Sequence, residues 1–269
     1  FLVNIYQPIP PVNKYFCTSL RNNVHLSKIK ERLFLMKQQA IHKNCGVTGA
    51  TIKWLAILSM LIDHFAAGYI MYDPYFGSLF NGCLYTTGRF IGRLAFPIFA
   101  FLIIQGYQHT SNRQKYIGQL TLFALLSELP FDLALRNSFV DWTHQNIFFT
   151  LALGVASFSL FEKAQNDQDW TMQIVVPLVS LLLAEYLNFD YGLYGILYIF
   201  GLGYLRDEKV NQTIFGVIMG LVQGIGASLA FIPIWFYNGK RGKQNKWLFY
   251  IFYPLHLVLI YLMRKYFIS

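Results

Sequence analysis

From Ile52 onward the chain is a succession of apolar runs separated by short polar breaks, at about 52–72, 90–108, 116–136, 146–162, 172–189, 191–205 and 247–266. A helix rising 1.5 Å per residue needs about 17–25 such residues to cross hydrocarbon, so each run predicts a membrane-spanning helix, the shortest relying on flanking anchors. Residues 212–238 read two ways. As one crossing they give eight helices and leave Lys240, Arg241, Lys243 and Lys246 outside, against the positive-inside rule. With Gln223, Gly224, Ile225 and Gly226 as a turn between two short helices, the count is nine. The cluster then returns to the cytoplasm alongside Arg113, Lys115, Lys163, Arg206 and Lys209, and nine is preferred for that reason. The expected fold class is all-α: a polytopic membrane bundle of eight or nine transmembrane helices over residues 51–269, preceded by a basic cytoplasmic segment, residues 1–50.

Composition agrees with that pattern. Of 269 residues, 55% are hydrophobic and 13% charged, too little polar material to clothe a water-soluble globule. Aromatics reach 18%, and that much ring area must face a core or lipid. The net charge of +9 comes from short Lys/Arg clusters between apolar runs rather than one sustained basic face, which argues against nucleic acid as a partner. Cys17, Cys45 and Cys83 lack metal-ligand or paired spacing, so no metal site is expected. The opening FLVNIYQPIPPVNKYF has no basic start and contains three prolines, unlike a cleavable signal peptide. Beyond it, Leu26, Ile29, Leu33 and Met36 recur at helical spacing among basic residues, which fits a surface helix on an anionic leaflet or, equally, a mobile basic tail. No internal repeat is visible.

The informative residues are those that hydrocarbon should expel, since an Asp, Lys or Arg at a helix centre costs roughly 2.5–3.5 kcal/mol on insertion scales. In TIKWLAILSMLIDHFAAGYI, Lys53 and His64 are eleven positions apart, close to three turns, and so share one face about 16 Å apart along the axis. Asp63 lies about 100° round the helix from His64 and is better placed to meet a cation from a neighbouring helix. Arg89 and Arg93, four apart in GRFIGRLAFP, stack on one face, and Pro97 should bend the helix that carries them. Glu128 and Asp132 are also four apart, flanking Pro130. Two acids and two arginines at matching spacing predict a charge-compensated lining, or a buried ion network that only fixes packing. His144, Gln145 and Asn146 open the fourth helix, with Asn146 read as a cap, and Tyr253 and His256 lie in the last, where His256 in isolation reads as a packed histidine.

These motifs, IKWLAILSMLIDHF, GRLAFPIFAFLIIQGYQHTSNRQKY, LLSELPFDLAL, NIFFTL and YNGKRGKQNKWLFYIFYPLHLVLIYL, in this order over about residues 50–266, resemble the TraX family of bacterial membrane proteins. That family is named for the protein that acetylates the amino terminus of F pilin. The resemblance extends to the wider transmembrane acyltransferases, whose first helix carries a basic residue, ten intervening residues and an essential histidine, the spacing of Lys53 and His64. It implies a multi-pass protein of the bacterial cytoplasmic membrane that transfers an acyl group, acetyl first of all, from acyl-CoA to an acceptor. A peptide amine, a sugar and a lipid remain open as that acceptor.

The residues fit such chemistry. A neutral imidazole such as His64 suits a general base, Arg89 or Arg93 could face a thioester oxyanion, and Asp63, Glu128 or Asp132 could orient them. Lys53, Lys240, Arg241, Tyr253 and His256 are the expected donor-binding residues, the cations meeting the phosphates of CoA. Two other classes compete. One is a proton-coupled transporter or flippase using Asp63, His64, Glu128 and Asp132 as a relay. The other is a non-catalytic assembly factor whose buried charges set packing alone.

Overall fold

The computed structural model describes residues 46–74, 78–243 and 246–268. The basic stretch and the candidate surface helix before residue 46 lie outside them. Eleven α-helices run through the described residues: α1 Gly49–Gly68, α2 Leu79–Gly92, α3 Ala95–His109, α4 Arg113–Phe131, α5 Ile147–Asn166, α6 Trp170–Tyr186, α7 Gly192–Tyr204, α8 Lys209–Gln223, α9 Ile225–Leu229, α10 Phe231–Trp235 and α11 Lys246–Phe267. No strand occurs among them, only the isolated bridges Val47–Tyr237 and Gln145–Phe189.

Local chemistry sets the helix ends. Thr48, Asn112, Asn146 and Asp169 each accept a backbone amide of the first turn they precede, starting α1, α4, α5 and α6. Gly224, at φ +116°, ends α8 and turns the chain into α9, so the 212–238 region is the pair of short helices that the Gln223–Gly226 stretch allowed. After Pro130 the last turn of α4 widens into a π-turn over Asp132–Arg136, closed by Asn137 in the left-handed region.

The second crossing begins earlier than its apolar run. Residues 82–109 form one apolar stretch broken only at Arg93–Leu94, and because α2 begins at Leu79 most of the polar break expected between residues 73 and 89 is helix. Pro97 sits in the first turn of α3. Lacking an amide, it cannot bond the carbonyl of Arg93, four residues back, and the break falls there. Asn81, Thr86 and Thr87 interrupt the apolar run along α2, whereas Gly88 and Gly92 fit it against α1: a methyl on Gly88 would approach that of Ala66 to 2.8 Å.

Four stretches, Gly49–Tyr72, Gly82–His109, Arg113–Arg136 and Ile147–Asn166, are long and apolar enough to cross a membrane, and Trp170–Tyr186, Gly192–Tyr204 and Ile225–Trp235 are shorter apolar helices. The distribution of side chains is that of a protein dissolved in lipid. Ile174, Leu178 and Leu182 of α6, Leu125 and Leu129 of α4 and Leu255 and Leu259 of α11 face outward, whereas Ser127, Asn146, Thr150, Ser157, Ser180, Glu162 and Arg264 are buried. The core lies around α3, with Phe96, Ile98, Phe101, Ile104 and Tyr107 packed against Val155, Phe158, Tyr198 and Leu202 of α5 and α7.

Two anchors hold the ends. At the start of α1, the amides of Gly49 and Ala50 donate to the carbonyls of Lys240 and Arg241, and Val47 exchanges bonds with Phe236 and Asn238. The 236–241 segment therefore sits at the same end of the bundle as Lys53. At the opposite end, buried Arg264 of α11 donates to the carbonyls of Gly68, Leu133 and Ala134 and to Asn137 Oδ1, tying the close of α1 to that of α4.

Candidate functional site

α1 carries Asp63 and His64 to the wall of a polar cavity of about 580 Å³. Arg89 from α2, Arg93 from the break between α2 and α3, His144 and Asp190 from the loops before α5 and α7, and Gln223 from the end of α8 line it as well. Asp63 Oδ2 accepts Arg89 Nη1 at 2.6 Å, the cation from a neighbouring helix that its position on α1 called for. Arg93 donates instead to Gln223. His144 Nε2 lies 3.3 Å from Asp190 Oδ1. In the loop between α4 and α5, the hydroxyl and amide of Thr143 bond Asp141 and hold its carboxyl below the ordinary carboxylate range, so the rim keeps a firm negative charge beside Arg136.

His64 does not stand alone. Its Nδ1 lies 2.7 Å from Nε2 of His256, and His256 Nδ1 lies 2.8 Å from the carbonyl of Phe252. The two rings are within 6° of parallel with centroids 5.0 Å apart. That separation is close to the hydrogen bond plus the two ring radii, so the imidazoles lie edge to edge in nearly one plane. The tertiary fold thus joins residues 192 positions apart in sequence, and His256, which in isolation reads as a packed histidine, is a hydrogen-bonding partner.

A second, apolar cavity of about 120 Å³ runs beside the first. Lys53 lines it, its ammonium 4.1 Å from the Phe249 ring, together with Phe99, Phe148 and Leu151. Tyr253 lines it as well, and the same ring stands 5.9 Å from that of His64 and 5.5 Å from that of His256. The Tyr253 hydroxyl is buried with no hydrogen-bond partner among the described residues. Tyr253 therefore lines the apolar cavity together with Lys53 and packs its ring against His64, which lines the polar one.

The structure regroups the remaining sequence-level candidates. Glu128 accepts the amide and side-chain amide of Asn146, which it fastens as the cap of α5. Asp132 accepts the amide of Asp141 at 2.9 Å. Neither lines the polar cavity or bonds Arg89 or Arg93, so the expected lining of two acids and two arginines is replaced by Asp63 with Arg89 and by Arg93 with Gln223. The reason is local: the amides freed at the start of α5 and in the loop before it claim both carboxylates. Lys240 and Arg241 are exposed, their backbone meeting the first turn of α1. Residues that spacing did not single out are Asp190, Tyr191 and Gln223. Tyr191, held at φ +63° and stacked on Phe96, was detectable at most through its place before Gly192 in a loop.

This arrangement defines an integral membrane protein whose bundle pairs a histidine lining a polar cavity with a second, buried histidine. The chain belongs to the TraX family, whose model, described as TraX protein, matches residues 48–264. It is similar to a protein of Dichelobacter nodosus described as "Probable fimbrial assembly protein FimC, serogroup H1", 28% identical over 247 residues covering 81% of this chain and 96% of that one. No solved structure matches it.

Proposed function

We propose that this protein is an acyltransferase of the bacterial cytoplasmic membrane that moves an acyl group, acetyl first of all, from cytoplasmic acyl-CoA to an acceptor at the membrane's outer face. The observation that carries this reading is the contact of Tyr253, which lines an apolar cavity together with Lys53, with His64, which lines the polar cavity. A donor with a charged nucleotide and a long thin arm suits the first; a polar acceptor suits the second. Lys53, with Arg241 at the same end, would meet the phosphates, and the aromatic passage would take the arm. The unpartnered Tyr253 hydroxyl would donate to the thioester carbonyl, a part better suited to it than to Arg89, already held by Asp63. His64 would take the proton of an acceptor amine or hydroxyl as the acceptor oxygen or nitrogen bonds the acyl carbon. The carbon–sulfur bond breaks, and the proton passes to the departing CoA thiolate, restoring the base.

We further propose nine crossings, α2 with α3 and α9 with α10 each counting as one. That parity puts Lys53, Arg113, Lys163, Arg206, Lys209, Lys240 and Arg241 at the cytoplasmic face, as positive-inside bias favours. The description of the Dichelobacter relative makes fimbrial subunits the first acceptors to try. Inside-out vesicles carrying the protein and fimbrial subunits, given acetyl-labelled acetyl-CoA, should transfer label to a membrane or surface acceptor, and His64→Ala should abolish transfer without loss of the inserted protein. Transfer unchanged by that substitution would overturn the reading.

A further inference from the structure

The hydrogen bonds around His256 decide which nitrogen of His64 is basic. A carbonyl only accepts, so His256 Nδ1, 2.8 Å from the Phe252 oxygen, must carry a proton. In neutral His256 the lone pair is then on Nε2, the atom 2.7 Å from His64 Nδ1, and His64 Nδ1–H is the donor. The lone pair of His64 is left on Nε2. The opposite arrangement needs protons on both nitrogens of His256, a cation at a residue 3% exposed with no carboxylate among its described contacts, and that is costly. Packing resists escape by ring rotation: His256 lies against Phe252 at 4.9 Å and against Tyr253, which fix its plane.

We propose that His256 is a positioning residue that locks His64 in the Nδ1–H tautomer, so that Nε2 is the basic nitrogen His64 offers to the polar cavity. It plays toward His64 the part that a buried acceptor plays toward the base of a hydrolase triad, with a neutral imidazole anchored on a main-chain carbonyl in place of a carboxylate. The consequence for turnover rests on the acyltransferase reading; the tautomer does not.

The test therefore has two arms. In the first, ¹⁵N-histidine-labelled protein in lipid nanodiscs is examined by NMR, resonances being assigned by loss in His64→Ala and His256→Gln. His64 should show a protonated Nδ1 and an unprotonated Nε2, and a protonated Nε2 in the neutral wild-type protein would overturn the proposal without touching the enzymatic reading. In the second, acetyl transfer is measured for His256→Phe, which keeps the ring and removes the acceptor, and for His256→Gln, whose amide can both accept from His64 and donate to Phe252. The Phe variant should lose roughly 10–100-fold in kcat with KM for acetyl-CoA little changed, the scale of a misplaced catalytic group. The Gln variant should recover most of that loss. Equal losses in the two variants, or none in either while His64→Ala is inactive, would overturn the positioning role. Should His256→Phe fail to insert, the wild-type spectrum and the Gln variant still decide. The expected tautomer together with no acetyl transfer by the wild-type protein would overturn the acyltransferase reading and leave the tautomer assignment standing.

Discussion

At the scale of single residues, the bundle keeps its charges by giving each a partner. Asp63 and Arg89 meet at 2.6 Å on adjacent helices, with Asp63 mostly buried. Removing one partner leaves an uncompensated charge in a low-dielectric wall, which costs more than the pair was worth. Arg89→Gln or Asp63→Asn alone should therefore lower thermal stability in detergent markedly, by about 3 kcal/mol in the buried limit and less as the cavity admits water. The double variant should recover part of that loss. Unfolding curves of the four proteins test this, and additive losses would mean that the pair is not coupled. The pairing was half legible in the sequence: position on α1 pointed Asp63 toward a neighbouring cation, but nothing in spacing chose Arg89 over Arg93. Glu128 and Asp132 misled for a related reason. Their four-residue spacing matched that of the arginines, whereas free backbone amides, invisible in a side-chain pattern, took both carboxylates.

Helices bring a different kind of information, because what positions an arginine is the distance at which its helix packs. α2 lies against α1 through glycines, and a methyl added at Gly92 would overlap the side chain of Asp63, the residue that Arg89 holds. Gly92→Ala should push the carboxylate off its partner and destabilise by about 1–3 kcal/mol, the usual cost of overpacking. Gly82 on the same helix faces open space, so Gly82→Ala should be neutral or stabilising by up to about 1 kcal/mol through helix propensity. Thermal unfolding of the two variants separates them, and equal effects would show that close approach at Gly92 is not what joins the helices. This is also why α2 escaped a search for apolar runs. Its identity as a helix lies partly in small residues that allow contact, while the strongly apolar α1 and α5 were readable directly. The turn at Gly224 was readable too, because only a residue tolerant of positive φ could close α8 there.

At the scale of the whole molecule, the distribution of cations and the geometry of the ends bear on the same question, the direction in which the last helix runs. Glu162 at one end gathers Arg113, Arg206 and the Tyr107 hydroxyl, and so joins the α3–α4 connection to the close of α5 and of α7. The bonds from Gly49 and Ala50 to Lys240 and Arg241 put the start of α1 beside the segment that enters α11. In the proposed nine-crossing topology α1 starts in the cytoplasm, and α11, entered at the same end, runs outward. An even count would require residues 236–241 to lie at the far end of α1, a full bilayer away from the amides they bond. Reporter fusions turn this into a measurement. A fluorescent protein joined after Gly242 should fold and shine in the cytoplasm, and alkaline phosphatase at the same point should be inactive. Joined after Ile268 the two reporters should exchange behaviour, with phosphatase active outside. The reverse pattern at both points would put Arg241 on the outer face, away from cytoplasmic acyl-CoA. The donor would then have no paired cations at its entrance, and the proposed direction of acyl transfer would fail with the topology.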